Sequence, residues 1–267
     1  MKNNELEPWI LPNGVRTRLG NFAPSSSLVL PVRGSLPDIP ESEWREFDFR
    51  SDSSYPVKVK NQGSYGACNG HAAASSLEDA RYIAGLEHTD LSAWMIYADL
   101  CGGWDRGSII ADALKLLQDK GTCEDALVGH GVINPNRLSA ESQANRKRYK
   151  IEIGYRLISF RDMCIAAMLR LPFNFSVPVN SSYNSLDKNG CPQNRSGWHN
   201  HAVQGGCGLK RLPSGEWAIL KRNSWGDAWG LKGFCWIKES NVQGNGFDAY
   251  AVEAVEVDPE NQPPKIA

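Results

Sequence analysis

The sequence predicts an α+β fold with two segregated lobes, and three observations predict it. Stretches with helical spacing of apolar residues come first, and strand-like stretches rich in β-branched and aromatic residues come second. The order of the two halves excludes the alternating pattern of a parallel α/β sheet. The length of 267 residues and a 41% hydrophobic content are enough for two lobes with real cores.

Residues 1–45 carry Pro8, Pro12, Pro24, Pro31, Pro37 and Pro40 with few periodic apolar positions, and read as an extended arm. A first helix is expected from Cys68 to Ala84, with Ala72, Ser76, Leu77 and Ile83 on one face and Gly85 as its stop. A second spans Leu91–Leu100, capped by Ser92. A third spans Ser108–Gly121, with Ser108 as N-cap and Gly121 as terminator. The segment "SFRDMCIAAMLR" gives one more helix. Strands are then expected at Pro172–Val179, Asn200–Lys210, Glu216–Trp225, Gly233–Glu239 and Ala249–Val257. The boundaries follow: arm 1–45, helical lobe 46–125, β-rich lobe 126–257, tail 258–267. A cleft between such lobes is a natural ligand site.

Lys+Arg 29 against Asp+Glu 30 gives a formal net charge of −1, so there is no global electrostatic case for nucleic acid or an acidic membrane. The one basic run, Arg146–Lys150, reads as a solvated face. No apolar run is long enough to span a membrane. The N-terminus lacks the pattern of a secretory signal, so a cytoplasmic location is expected. Seven cysteines, at 68, 101, 123, 164, 191, 207 and 235, contain no C-x-x-C pair. That speaks against a zinc site or a dense disulfide framework; no metal or cofactor is expected. The N-x-[ST] triplets at Asn174, Asn180 and Asn194 then read as chance matches.

The stretch "NQGSYGACNGHAAASSLEDARYIAG" places Cys68 where a loop becomes a helix. A helix N-terminus lowers a thiol's pKa through its partial positive charge and free N–H donors. Gly63 and Gly66 let the preceding loop approach a substrate. Taken alone, Cys68 reads more readily as a small buried residue than as a nucleophile. A nucleophilic thiol needs a base, and His201 opens a strand of small and β-branched residues. His71, three residues after Cys68, reads as a packed core histidine. Asn223 can accept the imidazole N–H while staying neutral, with Trp225 close enough to shield the bond.

Together these stretches resemble the papain-like cysteine peptidases. "NSWGDAWGLKGF" matches the family's N-S-W-G-x-x-W-G-x-x-G-[FY], "QGSYGAC" its Q-G-x-x-G-[SA]-C, and "HAV" its histidine strand. The order is Cys, His, Asn, with separations 201 − 68 = 133 and 223 − 68 = 155. The resemblance runs from Tyr55 to Val257. It implies a papain-like two-lobe fold, a helical lobe and a β-barrel-like lobe with the cleft between them. It implies that Cys68 is the nucleophile, His201 the general base and then acid, and Asn223 its orienting partner. Gln62 and the Cys68 amide would form the oxyanion hole, and Trp225 would shield the triad. Gly102, Gly103, Asn200 and Ala202 would contact a peptide or protein substrate. The similarity is to bacterial and phage members that lack the usual inhibitory prosegment, so none is expected in the residues before Tyr55. The arm would pack on its own domain or on a protein partner, within a phage particle for instance, and a virion-associated location is the second expectation. Three departures stand out. Asn69 replaces an aromatic residue, Tyr65 replaces a disulfide cysteine, and Cys101 thereby loses its usual partner. Two other readings keep the same fold: a catalytically silent binding or assembly module, and an intracellular aminopeptidase or acyl-transfer variant.

Overall fold

The computed structural model describes residues 8–12, 14–23, 30, 32–56, 58–193 and 197–256. The tail 258–267 and Asn194 lie outside them. The arm forms a hairpin of β1 (Pro8–Ile10) and β2 (Arg16–Arg18), and a short strand β3 (Phe47–Asp48) follows it. Then come α1 (Cys68–Ile83), α2 (Ala93–Cys101), α3 (Ile110–Asp119) and the short α4 (Ala140–Asn145). The rest comprises β4 (Tyr149–Arg156), α5 (Phe160–Met168), β5 (Phe173–Val177), β6 (Gly197–Trp198), β7 (His201–Arg211), β8 (Trp217–Arg222), β9 (Phe234–Lys238), β10 (Gly244–Asn245) and β11 (Ala249–Glu256). The sheet runs β4-β11-β5-β7-β8-β9, antiparallel throughout, with β3 pairing beside β7.

The periodic stretches fold as their spacing requires, with two local differences. Ser108 does not cap α3; the N-cap is Ile109, without a side-chain cap, because Ser108 is engaged elsewhere. The basic run is a solvated face only in part: Lys147 and Arg148 are exposed. Arg146 is buried and pairs with Asp99 at 2.8 Å, and Tyr149 and Lys150 begin β4, a strand whose Tyr149, Ile151 and Ile153 point into the core.

α1 lies at the centre of the molecule. Its residues from Cys68 to Ala80 are all buried, between α2 on one side and β7 and β11 on the other. Ala72, Ala73 and Ala74 keep it slim enough for that position, and a Cβ at Gly70 would press on the Ala93 carbonyl of α2. Asp79 of α1 is the hub of a buried polar network. Asp79 accepts from Arg222 of β8 (2.7 Å), Tyr55 (2.7 Å) and Gln204 of β7 (2.8 Å). Burial pushes the Asp79 carboxyl upward and the Arg222 guanidinium pulls it back, while Asp79 holds Arg222 charged. We take the pair as ionised, since three donors converge on the carboxylate. The network ties the helix that begins at Cys68 to the strands that carry His201 and lead to Asn223.

Candidate active site

Cys68 is the first residue of α1 and is fully buried. Its sulfur faces the backbone amides of Ala202, Gly20, Asn69 and Cys68 itself. Those amides favour the thiolate, but burial outweighs them and raises the thiol to about 11. The amide of Ala202 on the sulfur means that β7 begins against the nucleophile.

His201 is the first residue of β7. Its Nε2 lies 2.8 Å from Asn223 Oδ1. That oxygen also accepts the Ser224 N–H at 3.0 Å, which fixes the amide's orientation. A carbonyl oxygen only accepts, so Nε2 carries the proton and Nδ1 is left with its lone pair. Nδ1 has no hydrogen-bond partner among the described residues. Burial, then the positive charge of Lys221, lowers His201 to about 3, against the smaller opposing effect of Asn223. The Trp225 ring stacks on the imidazole with centroids 4.8 Å apart, and Trp229 meets Trp225 edge-on at 5.1 Å. The two rings exclude water from that side of the His–Asn bond.

Gln62 is buried and held at both ends of its amide. Oε1 accepts from Ser224 Oγ at 2.6 Å, which directs Nε2 to the carbonyls of Tyr65 (2.7 Å) and Arg18 (2.9 Å). The Gln62 N–H reaches Ser224 O, and Gly226 N–H reaches Lys60 O. The loop before Cys68 and the segment after β8 are thus one ladder. Ser224 was part of the matched motif, but its tie to Gln62 has no signature in the sequence.

The other anticipated residues divide. Asn200 offers its carbonyl to the Asn21 N–H, while its side chain is spent on Val179. Ala202 is buried beside Cys68. Gly102 and Gly103 are elsewhere than expected: Gly102 is the left-handed C-cap of α2 (φ 63°) and Gly103 faces Asn134. An extended segment pairs instead with Ser108, next to Gly107. Ser108 is held there by Asn69, whose Nδ2 donates to its carbonyl (2.9 Å) and hydroxyl (3.1 Å). That accounts for Asn69, which the motif left unexplained. His71 is a core residue, its Nδ1 2.9 Å from the Ala67 carbonyl and its ring edge-on to Trp94. All seven cysteines are free and buried. Tyr65, in the place of a bridging cysteine, packs edge-on against Trp94 of α2.

The segment that pairs with Ser108 is the arm. Ser108 N–H donates to Gly20 O (2.8 Å), Phe22 N–H to Ser108 O (3.0 Å) and Asn21 N–H to Asn200 O (3.1 Å). Arg18 adds an ion pair to Asp105 at 2.8 Å. Only glycine fits at position 20, because a Cβ there would overlap the Gly66 backbone, and one at Gly107 would overlap Gly20. The arm packs on its own domain, with Arg18–Phe22 lying along the cleft over Cys68. A Pro-rich stretch without periodicity carries no signal of where it docks.

A thiol at a helix N-terminus, an imidazole with its Nε2 proton tied to an amide, and a fixed carboxamide donor define a thiol hydrolase type of site. The chain belongs to the papain family of cysteine proteases, whose sequence model matches residues 44–255. A maize relative, "Cysteine proteinase 1", is 28% identical over 241 residues, covering 80% of this chain and 60% of its own length. An Arabidopsis thaliana relative, a probable cysteine protease, is 29% identical over 217 residues, covering 74% of this chain and 59% of its own. The chain thus spans about three fifths of these relatives. Among solved structures, xylellain, a cysteine protease from Xylella fastidiosa, superposes with a TM-score of 0.67 at 18% identity, covering 88% of this chain and 96% of that one. Bromelain from Ananas comosus gives 0.56 at 22% identity, covering 78% and 98%. These likenesses show the papain-like α+β fold.

Proposed function

We propose that the chain is a cysteine peptidase that hydrolyses peptide bonds through an acyl-enzyme intermediate. The observation that carries the reading is the His201 hydrogen bond to Asn223, which leaves Nδ1 as the free basic nitrogen on a strand that begins against Cys68. Nδ1 takes the thiol proton as the sulfur attacks the substrate carbonyl carbon. The developing oxyanion is held by Gln62 Nε2 and the Cys68 N–H. The imidazolium then protonates the leaving amine, and water, deprotonated by the same nitrogen, hydrolyses the thioester to free the acid and the thiol.

In the closed arrangement the reaction is blocked. Arg18 O occupies the Gln62 donor, and the sulfur meets the Gly20 amide. The substrate is a peptide or protein segment that takes the arm's place. An aminopeptidase would be supported by a chain terminus in the cleft, whereas an internal segment runs through this one. The test is turnover of a fluorogenic peptide library by the full chain and by Cys68→Ala, with covalent labelling mapped by mass spectrometry. Turnover lost in Cys68→Ala and label on Cys68 support the reading; activity that survives the substitution overturns it.

A further inference from the structure

We propose that Asp105 selects substrates with a basic side chain on the residue that supplies the scissile carbonyl. The proposal rests on the peptidase reading of the same cleft and names its substrate class. The arm supplies a built-in ligand. Arg18 places its carbonyl oxygen 2.9 Å from Gln62 Nε2 and its guanidinium 2.8 Å from Asp105 Oδ2. One residue therefore spans the donor for the acyl oxygen and a carboxylate. A substrate residue whose carbonyl displaces that of Arg18 brings its own side chain within reach of Asp105.

Asp105 is a prepared group. Its Oδ1 accepts from the Gly66 N–H at 2.9 Å and from the Tyr97 hydroxyl at 2.5 Å. Tyr97 is fully buried and in turn accepts from the Gly107 N–H at 3.1 Å. These donors belong to the loop before Cys68, to α2 and to the strand-like segment beside the cleft, and none of them to the arm. They fix the carboxylate with Oδ2 toward the cleft. With the arm in place its side chain is only 12% exposed. Removing Arg18 leaves the fixed carboxylate without its cation, and a substrate arginine or lysine restores a charge-assisted bond there; a neutral or acidic side chain does not.

The competing account is that Asp105 only latches the arm and steadies the Gly66 loop. Two variants separate them, because both break the Arg18–Asp105 pair and only one removes the carboxylate. Arg18→Gln frees Asp105. Asp105→Asn keeps an oxygen for Gly66 and Tyr97 but loses the charge. Full-length wild type and both variants are treated with peptidyl chloromethyl ketones ending in arginine, alanine or glutamate; the Cys68 thiolate forms the C–S bond as chloride leaves. Iodoacetamide, a small probe, measures opening of the arm in parallel, and peptide mapping assigns the label. Both variants are expected to raise the iodoacetamide rate at Cys68. Arg18→Gln should prefer the arginine probe over alanine by about 10–100-fold, the range of a hydrogen bond to a charged group. In Asp105→Asn the ratio should fall toward one. A ratio near one in Arg18→Gln, or a preference that survives in Asp105→Asn, overturns the proposal while the peptidase reading stands. Failure of iodoacetamide to reach Cys68 in any folded form, with labelling after denaturation, overturns the peptidase reading and this proposal with it.

Discussion

Gly20→Ala should open the cleft without unfolding the protein. Four hydrogen bonds with backbone partners on the arm are the main ties of the segment around Gly20: Gln62 to Arg18, Ser108 to Gly20, Phe22 to Ser108 and Asn21 to Asn200. At about 0.5–1.5 kcal/mol net each they contribute roughly 2–6 kcal/mol. The Arg18–Asp105 pair, with a partly exposed guanidinium on a mostly covered carboxylate, adds about 1.5–3 kcal/mol. An alanine methyl would overlap the Gly66 carbonyl, a backbone group that no rotamer change can move aside. Overpacking of this kind costs about 1–3 kcal/mol, so the open population should rise by about 5–150-fold. The assay is the rate of Cys68 alkylation by iodoacetamide, resolved by peptide mapping, since a buried thiol reacts through local opening. The six other cysteines are buried and serve as internal controls. Acceleration confined to Cys68 is the expected result. An unchanged Cys68 rate, or equal acceleration of all seven thiols, would refute the reasoning, the first because the arm is then not the gate and the second because the whole fold was weakened.

Asp79→Ala removes the carboxylate that Arg222, Tyr55 and Gln204 share and should cost about 3–5 kcal/mol in chemical denaturation; a loss under about 1 kcal/mol would mean that the network does not hold α1 to the sheet. Ser224→Ala frees Gln62 Oε1 and should lower kcat about tenfold with KM nearly unchanged, a split that pure destabilisation would not produce. Opening should be flat across neutral pH and favoured on both sides of it. The closed form keeps its thiol proton up to about 11 while the open site loses one earlier, so rising pH opens the cleft. The closed His201, lowered to about 3, refuses a proton that the open ring accepts, so falling pH does the same. A fluorine label at the half-exposed Phe22 would report the two populations, and a monotonic response from acid to alkali would contradict the coupling.

What could be read from the sequence follows the range of the interaction that decides each element. Helices α1, α2, α3 and α5 and strands β5, β7, β8, β9 and β11 are set by local periodicity and punctuation, and they fold within a few residues of the expected bounds. β4 was hidden because the basic run runs into its start, and only the distant Asp99 makes Arg146 a buried residue. The choice between Gly102–Gly103 and Gly107–Ser108 as the segment beside the cleft depends on where α2 ends, and the left-handed Gly102 ends it. The motifs brought Cys68, His201, Asn223, Gln62 and Trp225 to notice as residue types in order. They could not show that Ser224 fixes the Gln62 amide, that Asn69 holds Ser108, or that Gly20 lies over the sulfur. Each of those is a contact between segments distant in the chain, chosen by packing.

Occlusion and electrostatics at this site are one event. Burial is the largest influence on both Cys68 and His201, raising the thiol and lowering the imidazole, and the arm covers Cys68. Both shifts favour the uncharged pair. The amides around the sulfur and the Asn223 oxygen act the other way and are fixed parts of α1, β7 and the segment after β8. When the arm leaves, the desolvation penalty falls while most of those dipoles stay, so the balance moves toward thiolate and imidazolium. A segment that binds the neutral pair and a reaction that needs the charged one thus compete for the same cleft. On the proposed peptidase reading, Arg18–Phe22 hinders the reaction in two ways: it stands in the cleft, and it adds to the burial that favours the neutral thiol.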